Sequence, residues 1–115
     1  MFSKRNINDI PTEETPHASG SRKMIVSKEE IPSVYFEAFT RGFLPPNVCW
    51  NLHKHNNIIE ICLVIKGKGT IKDKNNNMEK FKHGDRFIFL PDMEHEIKNT
   101  SNEVAEFYFF RIKAK

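Results

Sequence analysis

The chain of 115 residues has no long hydrophobic run. Its longest apolar stretch, Ile58 to Ile65, is interrupted by Glu60 and is far too short to span a bilayer. The first residues also lack the apolar core of a secretory signal. We therefore expect a cytoplasmic protein that has no membrane partner.

A strong excess of one charge is also missing. Eighteen Lys and Arg stand against 15 Asp and Glu, for a net charge of +3. No run of about five or more like charges occurs. A nucleic-acid surface needs clustered Lys and Arg, so we expect no nucleic-acid partner.

Cysteine is scarce, with Cys49 and Cys62 alone. In a cytoplasmic protein we expect both to be free, buried thiols rather than a disulfide. The chain also has no glycine-rich phosphate loop, no G-x-S-x-G elbow and no C-x-x-C pair. The usual signals of nucleotide-binding, serine-hydrolase and thiol-redox sites are therefore missing.

Helical periodicity is nearly absent, because no segment carries a sustained apolar stripe at helical spacing. From Met24 onward, short runs rich in β-branched and aromatic residues alternate with turn residues. Residues 1–24 are polar and lack a period, which predicts an extended or partly ordered N-terminal arm. Residues 25–115 are predicted to form one all-β domain, a barrel or jelly roll of about eight to ten short strands.

Turn residues bound each predicted strand. Residues 42–47 are predicted to be a turn because their two prolines exclude a central strand. Asn56-Asn57 is predicted to be a turn because Asn tolerates left-handed backbone. The strands predicted between the turns are 24–27, 34–41, 48–55, 58–66, 70–74, 78–82, 86–90, 95–99 and 106–112.

Four residues form a candidate metal site. His53 and His55 lie two apart in one predicted strand, so their imidazoles are expected to point to the same face. Glu60 is the only charge in IIEICLVI, and a lone carboxylate in an apolar strand is costly unless it is paired, hydrogen-bonded or bound to a cation. His95 opens a later strand, which in a closed barrel can lie beside the other two.

Three imidazoles and one carboxylate form a mixed nitrogen and oxygen ligand set. This set suits Mn, Fe, Co, Ni or Zn rather than Ca or Mg, and it leaves a position open for substrate, water or dioxygen. Each residue also has a simpler explanation. The His pair can lie on an exposed strand, Glu60 can form a salt bridge at a sheet edge, and His95 can cap a turn.

The spacing of these residues resembles a known family. Residues 53–67 follow the pattern H-x-H-x4-E-x6-G and resemble the first cupin motif. Gly84-Asp85, Pro91, His95 and Asn99 resemble the second motif. The two motifs and the segment between them cover residues 47–99.

The resemblance implies a cupin double-stranded β-helix, a jelly-roll barrel that is usually a homodimer. It also implies a divalent transition metal on His53, His55, Glu60 and His95. Two glycines of the family pattern are missing. Asn47 replaces the glycine before the first His, and LPDMEH lacks the glycine of the family's P-x-G-x-x-H turn, with Pro91 one residue late. Ile59 occupies a position where some small manganese cupins have an additional His, so we expect the three-His, one-Glu set.

Strand phase suggests further pocket residues. Asn51 should share the face of His53 and is a candidate for contact with a ligand residue or the substrate. Cys62 should share the face of Glu60, as a pocket residue or as a small core residue. Trp50 is expected on the face opposite to His53, packed between sheets or at a dimer contact.

Tyr35 and Tyr108 are also candidate pocket groups, with a solvated or rim position as the alternative. His17 and His83 are expected to be solvated rather than ligands. One strand carries a second apolar face, which suggests cover by a partner subunit or by the N-terminal arm. This face consists of Ile59, Ile61, Leu63 and Ile65.

Two functions are consistent with these patterns. The first is a metal-dependent enzyme acting on a small organic substrate by oxygenase, isomerase or lyase chemistry. The second is a non-catalytic module that binds or senses a sugar-like small molecule. The fold alone does not choose between them.

Overall fold

The computed structural model describes residues 2–16 and 18–115. In this part of the chain the helical elements are two short 3-10 turns, Ile7–Asp9 and Lys28–Glu30. The strands are β1 Glu13–Glu14, β2 Ser21–Ser27, β3 Phe36–Leu44, β4 Cys49–His53, β5 Ile58–Lys66, β6 Gly69–Asp73, β7 Met78–Phe81, β8 Arg86–Phe89, β9 His95–Asn99 and β10 Ala105–Lys113. The predicted all-β class is confirmed.

The strands form two antiparallel sheets. A six-stranded sheet has the order β1-β2-β3-β10-β5-β8, and a four-stranded sheet has the order β4-β9-β6-β7. Neighbouring strands within a sheet are mostly not consecutive in sequence, so the chain crosses repeatedly between the sheets. This is the predicted jelly roll.

The hydrophobic core lies between the sheets. Trp50 contributes from the four-stranded sheet, and its indole packs against the rings of Phe107 and Phe109 with centroids 5.6 Å apart. Burial of these aromatic side chains is a major source of stability for so short a chain. The core residues are Leu44, Trp50, Cys62, Val64, Ile71, Phe81, Phe89, Ile97, Ala105, Phe107 and Phe109.

Strand boundaries differ from prediction at β2 and β3. Strand β2 begins at Ser21 rather than Met24, because its polar first residues pair with the backbone of β3. Strand β3 continues through Gly42 to Leu44, so the turn predicted over 42–47 begins too early. A Cβ on Gly42 would lie 2.9 Å from the ring of Phe109. Gly42 therefore admits core aromatic rings rather than marking a turn.

The first residues of the described chain are tied to the sheet. Glu13 and Glu14 pair with Arg22 and Ser21, and Ile10 is buried. No helix in the described residues is long and apolar enough to cross a membrane.

Both cysteines are free, as predicted. Cys62 is fully buried in the core, and burial raises the pKa of its thiol. Cys49 is half-buried rather than buried, and burial likewise raises its pKa. Both thiols therefore remain protonated at neutral pH.

Candidate metal centre

The candidate ligands come from three strands and one loop. His53 is the last residue of β4, Glu60 is the third residue of β5, and His95 is the first residue of β9. His55 lies in the loop after β4, although it was predicted to be within the strand. The Asn56-Asn57 turn that follows is confirmed, and Asn57 has the left-handed backbone angle φ of 60°.

An irregularity in β4 sets the direction of His53. Trp50 pairs with Ile97, and His53 pairs with His95, so three steps on β4 match two steps on β9. This extra residue is a β-bulge, which shifts the alternation of faces by one. As a result Trp50 and His53 both reach the interior, and the prediction that they lie on opposite faces is wrong.

The four side chains converge between the sheets. The ring centroid of His53 lies 5.1 Å from that of His55 and 4.5 Å from that of His95. His95 Nε2 lies 3.5 Å from Glu60 Oε1. His55 Nε2 lies 3.9 Å from Glu60 Oε2.

Backbone carbonyls orient two of the imidazoles. His53 Nδ1 lies 2.7 Å from the Asn51 carbonyl oxygen, and His95 Nδ1 lies 3.3 Å from that of Met93. A carbonyl oxygen only accepts hydrogen bonds, so we assign the ring hydrogen to Nδ1 in both residues. Their Nε2 atoms then present lone pairs, the form in which histidine binds a metal.

Two of the Nε2 atoms have no hydrogen-bond partner. Those of His55 and His95 are buried and unpaired within residues 2–16 and 18–115. Burying a polar atom without a partner is costly, so these atoms favour the binding of a partner such as a metal ion or a water molecule. Burial also lowers the pKa of His55, which favours its neutral form.

Glu60 is held by an arginine that the sequence analysis missed. The carboxylate is 2% exposed, and Arg111 Nε donates a hydrogen bond to Glu60 Oε2. Burial alone would raise the pKa of Glu60, but the charge and hydrogen bond of the Arg111 guanidinium oppose this and help to lower the pKa. Glu60 is therefore a carboxylate at neutral pH. Arg111 stands alone as a charge in FYFFRI, the same signal that marked Glu60.

Phe89 is a second residue that sequence reasoning missed. Its ring stacks on the His95 imidazole, with centroids 3.8 Å apart and planes 4° from parallel. It pairs directly with Glu60 across the β5–β8 ladder. Phe89 therefore helps to fix the orientation of the imidazole. The sequence marks this residue only through the alternation of phenylalanine with other residues in RFIF.

The donor set fits a transition metal in its chemistry. It offers neutral imidazole nitrogens and one buried carboxylate. In the described part of the chain, however, no three His, Cys, Asp or Glu side chains are already arranged as a metal-binding group. Arg111 is also present on one carboxylate oxygen of Glu60.

A cavity of about 810 Å³ opens beside these residues. Part of its wall comes from the N-terminal segment, including Thr15 and Ser19. Trp50 Nε1 donates a hydrogen bond to the Ser19 carbonyl oxygen, 2.6 Å away. His53, His55 and Glu60 line the same cavity.

The other candidate residues lie in different places. Asn51 is exposed, lines the cavity and orients His53 through its backbone carbonyl rather than its side chain. Cys62 belongs to the core and does not line this cavity.

Neither candidate tyrosine lines the cavity. Tyr35 is 55% exposed, and the Tyr108 hydroxyl accepts a hydrogen bond from Arg41 on the opposite side of the sheet. His83 is exposed at a turn, and His17 lies outside the described residues.

The two missing glycines have substitutes with the same backbone conformation. Asn47 has a φ of 58°. Asp92, which stands three residues before His95, has a φ of 65°. Asn and Asp are the non-glycine residues that adopt left-handed backbone most readily. Both turns are therefore kept without glycine.

Solved structures with the same fold support this architecture. A predicted oxalate decarboxylase from Thermotoga maritima is 27% identical, with a TM-score of 0.82 over 94% of this chain and 96% of that one. The polyketide cyclase RemF from Streptomyces resistomycificus is 13% identical, with a TM-score of 0.81 over 100% of this chain and 81% of that chain. The Cnp3 cupin domain of Schizosaccharomyces pombe is 14% identical, with a TM-score of 0.78 over 96% of this chain and 73% of that chain.

No curated protein matches the chain. The family model for the cupin domain matches residues 44–111. This match covers more than half of the chain, includes all four candidate ligands and agrees with the observed jelly roll. The chain therefore belongs to the cupin family.

Proposed function

We propose that this protein binds a divalent transition metal through His53, His55, Glu60 and His95 and acts on a small organic substrate. The observation that carries the proposal is the pair of buried, unpaired Nε2 atoms on His55 and His95, both beside the Glu60 carboxylate. Mn, Fe, Co, Ni and Zn all accept such a ligand set. The adjoining cavity gives a small molecule access to it.

The residues of the chain prepare this site in three ways. Carbonyl oxygens of Asn51 and Met93 hold two imidazoles with Nε2 free. Arg111 keeps Glu60 ionised, and Phe89 fixes the plane of His95. When bound, the metal supplies Lewis acidity, which polarises a carbonyl or carboxylate group of the substrate.

The reaction class that we propose is oxygenase, isomerase or lyase. The Thermotoga maritima protein, 27% identical over 94% of this chain, is described as a predicted oxalate decarboxylase. Decarboxylation is a lyase reaction on a small carboxylate, so this similarity favours the lyase class. The other solved structures named above share less sequence and bear on the fold alone.

Metal analysis tests the proposal directly. The protein is purified without added metal, and its metal content is compared with that of a His53→Ala/His95→Ala variant. We expect close to one transition metal ion per chain in the wild type and its loss in the variant, because two of four ligands are removed. His83→Ala is the matched control, since His83 is exposed at a turn, and it should keep the metal. Retention of metal by the double variant would overturn the site.

A non-catalytic binding module is the second candidate. It is favoured by the Arg111–Glu60 ion pair, which satisfies the buried carboxylate without a metal. This candidate predicts that metal-free protein is stabilised thermally by sugars but not by transition metals. If the protein is instead a metal-dependent enzyme, we expect the transition metal to raise the thermal stability of the metal-free protein.

Two further proposals concern the whole protein. We propose a cytoplasmic location, a compartment in which free thiols such as those of Cys49 and Cys62 stay reduced. We also propose a homodimer that forms through the outer face of the six-stranded sheet.

A further inference from the structure

We propose that Arg111 binds the carboxylate group of a small organic acid in the cavity beside the metal centre. This inference deepens the proposed function and rests on it, since it names the substrate class of the same site.

The geometry of Arg111 leaves its outer edge free. The hydrogen bond to Glu60 uses Nε alone. The two terminal nitrogens, Nη1 and Nη2, have no hydrogen-bond partner in residues 2–16 and 18–115, and the side chain is 26% exposed where it lines the cavity. Glu60 thus anchors the guanidinium of this cavity-lining residue at Nε and leaves its two terminal nitrogens as a pair of parallel donors. Such a pair matches the two oxygens of a carboxylate.

The charges that line the cavity favour an anion. Among residues 2–16 and 18–115, its wall carries Arg22, Lys54 and Arg111 and a single carboxylate, Glu60. Arg22 is paired with Glu13 at 2.9 Å outside this wall, so its charge is already compensated. A divalent cation on the imidazoles and Glu60 would add further positive charge beside Arg111. The anion is therefore expected at the Arg111 end of the cavity.

The remaining wall is suited to an organic body. Leu52, Trp50 and Phe109 line the cavity with aliphatic and aromatic groups, and Leu52 is 41% exposed. An inorganic anion would leave this surface in contact with water, whereas the carbon skeleton of an organic acid would cover it. The two terminal guanidinium nitrogens of Arg111, together with this apolar wall, point to a carboxylic acid rather than to sulfate or phosphate.

Calorimetric titration with benzoate tests the assignment on the full chain, both metal-free and loaded with Co(II). Benzoate carries a carboxylate on an apolar body and chelates metal only weakly. In the Co(II)-loaded protein we expect Arg111→Gln to weaken benzoate binding about tenfold or more, as for loss of a charge-assisted bidentate contact. Arg111→Lys should give an intermediate loss, because lysine keeps the charge but not the fork.

Arg22→Gln is the matched control, because it removes the same charge from the same cavity. It should change benzoate affinity by about twofold or less. If Arg22→Gln costs as much as Arg111→Gln, general electrostatic attraction explains the binding and the assignment is wrong. Wild-type affinity in Arg111→Gln would overturn it as well.

Two further arms complete the test. Sulfate binding as tightly as benzoate would refute the carboxylic-acid class.

Because Arg111→Gln leaves Glu60 buried without its partner and can fail to fold, arginine side-chain NMR of the wild type provides a measurement that needs no folded glutamine variant. Benzoate should shift the Arg111 Nε signal, identified from its change in Arg111→Lys; a shift confined to Arg22 contradicts the proposal.

The two proposals fail in different ways. If the protein takes up no Co(II), the proposed metal centre is wrong, while benzoate titration of the metal-free protein still tests Arg111. If Co(II) binds but the affinity for benzoate does not depend on Arg111, the metal centre stands and the carboxylate site is wrong.

Discussion

Glu60 and Arg111 form a partly buried ion pair in the candidate site, with the carboxylate enclosed and the guanidinium partly exposed. Taking the carboxylate out of water costs several kcal/mol, about as much as its attraction to the guanidinium returns. Such a pair adds little net stability compared with well-packed apolar residues, but removing one partner is strongly destabilising. A pair of this kind in the middle of two apolar strands is therefore better explained by function than by stability.

The low pKa of Glu60 makes a pH-dependent prediction for the metal-free protein. Its pKa is lowered from 4.5 to about 2 in the folded state, so the folded state favours the charged form. The stabilisation is fully present above pH 4.5 and is lost as the pH falls from 4.5 toward 2. Glu60→Gln lacks this titration, so the difference in free energy of unfolding between wild type and variant should shrink over that range.

Urea unfolding with chelator present measures this difference at several pH values. Asp85→Asn is a suitable control, because Asp85 is a carboxylate at a turn, outside the candidate site. A difference between wild type and Glu60→Gln that stays constant down to pH 2 would contradict the proposed role of the ion pair.

Asn99 shows how one side chain can join several turns. Its amide nitrogen donates to the carbonyl oxygens of Leu44, Pro45 and Glu103. Its side-chain oxygen accepts hydrogen bonds from Ser101. The second motif marked this residue, yet its role depends on turns that are distant in sequence. Periodicity contains no information about such contacts.

At the scale of elements, the bulge in β4 decides which side chains enter the cavity. A regular strand would place Trp50 and His53 on opposite faces. The bulge lets the indole fill the core while the imidazole turns to His95. Bulges often re-aim a side chain next to a functional site in this way.

The hydrogen bond from Trp50 to Ser19 ties the N-terminal segment to the cavity wall. Trp50→Phe keeps an aromatic ring against Phe107 and Phe109 but loses the N–H donor. One such bond contributes about 1 kcal/mol, so amide exchange over residues 10–20 should become about fivefold faster. Hydrogen–deuterium exchange with mass spectrometry measures this rate.

Tyr108→Phe is the matched control, because it also removes one polar group from an aromatic side chain, here the partner of Arg41. It should leave exchange over residues 10–20 unchanged. Equal exchange in wild type and Trp50→Phe would show that the bond to Ser19 does not hold the segment.

At the scale of the whole molecule, the six-stranded sheet has two apolar faces. One face forms the core. On the other, Leu63 is 41% exposed and Ile88 is 45% exposed, on neighbouring strands. Phe39 and Phe110 lie on the same outer face with their rings 5.9 Å apart. Exposed apolar surface of this kind marks an interaction site, which agrees with the proposed homodimer.

A double variant tests the dimer. Leu63→Glu/Ile88→Glu places two carboxylates on the outer face, where burial against a second copy would be costly. Sedimentation velocity should show two chains per particle for the wild type and one for the variant. Met78→Glu is the control, because Met78 is 57% exposed on the four-stranded sheet, and it should stay dimeric. A monomeric wild type, or a dimeric double variant, would refute this interface.

Much of the fold can be predicted from local patterns in the sequence. Alternating apolar residues and turn residues located most strands, and β5 and β9 begin and end where the pattern predicts. The turn at Asn56-Asn57, where Asn57 has left-handed backbone, was recognised from the chemistry of Asn alone. Such features depend on the residue and its immediate neighbours, so one sequence is enough to predict them.

Other features depend on contacts between distant segments. The register of β4 against β9 brought Trp50 inside, and the packing of β10 beside β5 brought Arg111 to Glu60. A strand pattern specifies which residues alternate but not which strand lies alongside or where a bulge interrupts the pairing. Motif spacing singled out His53, His55, Glu60 and His95 as one candidate set, whereas the partners that orient them follow from three-dimensional packing.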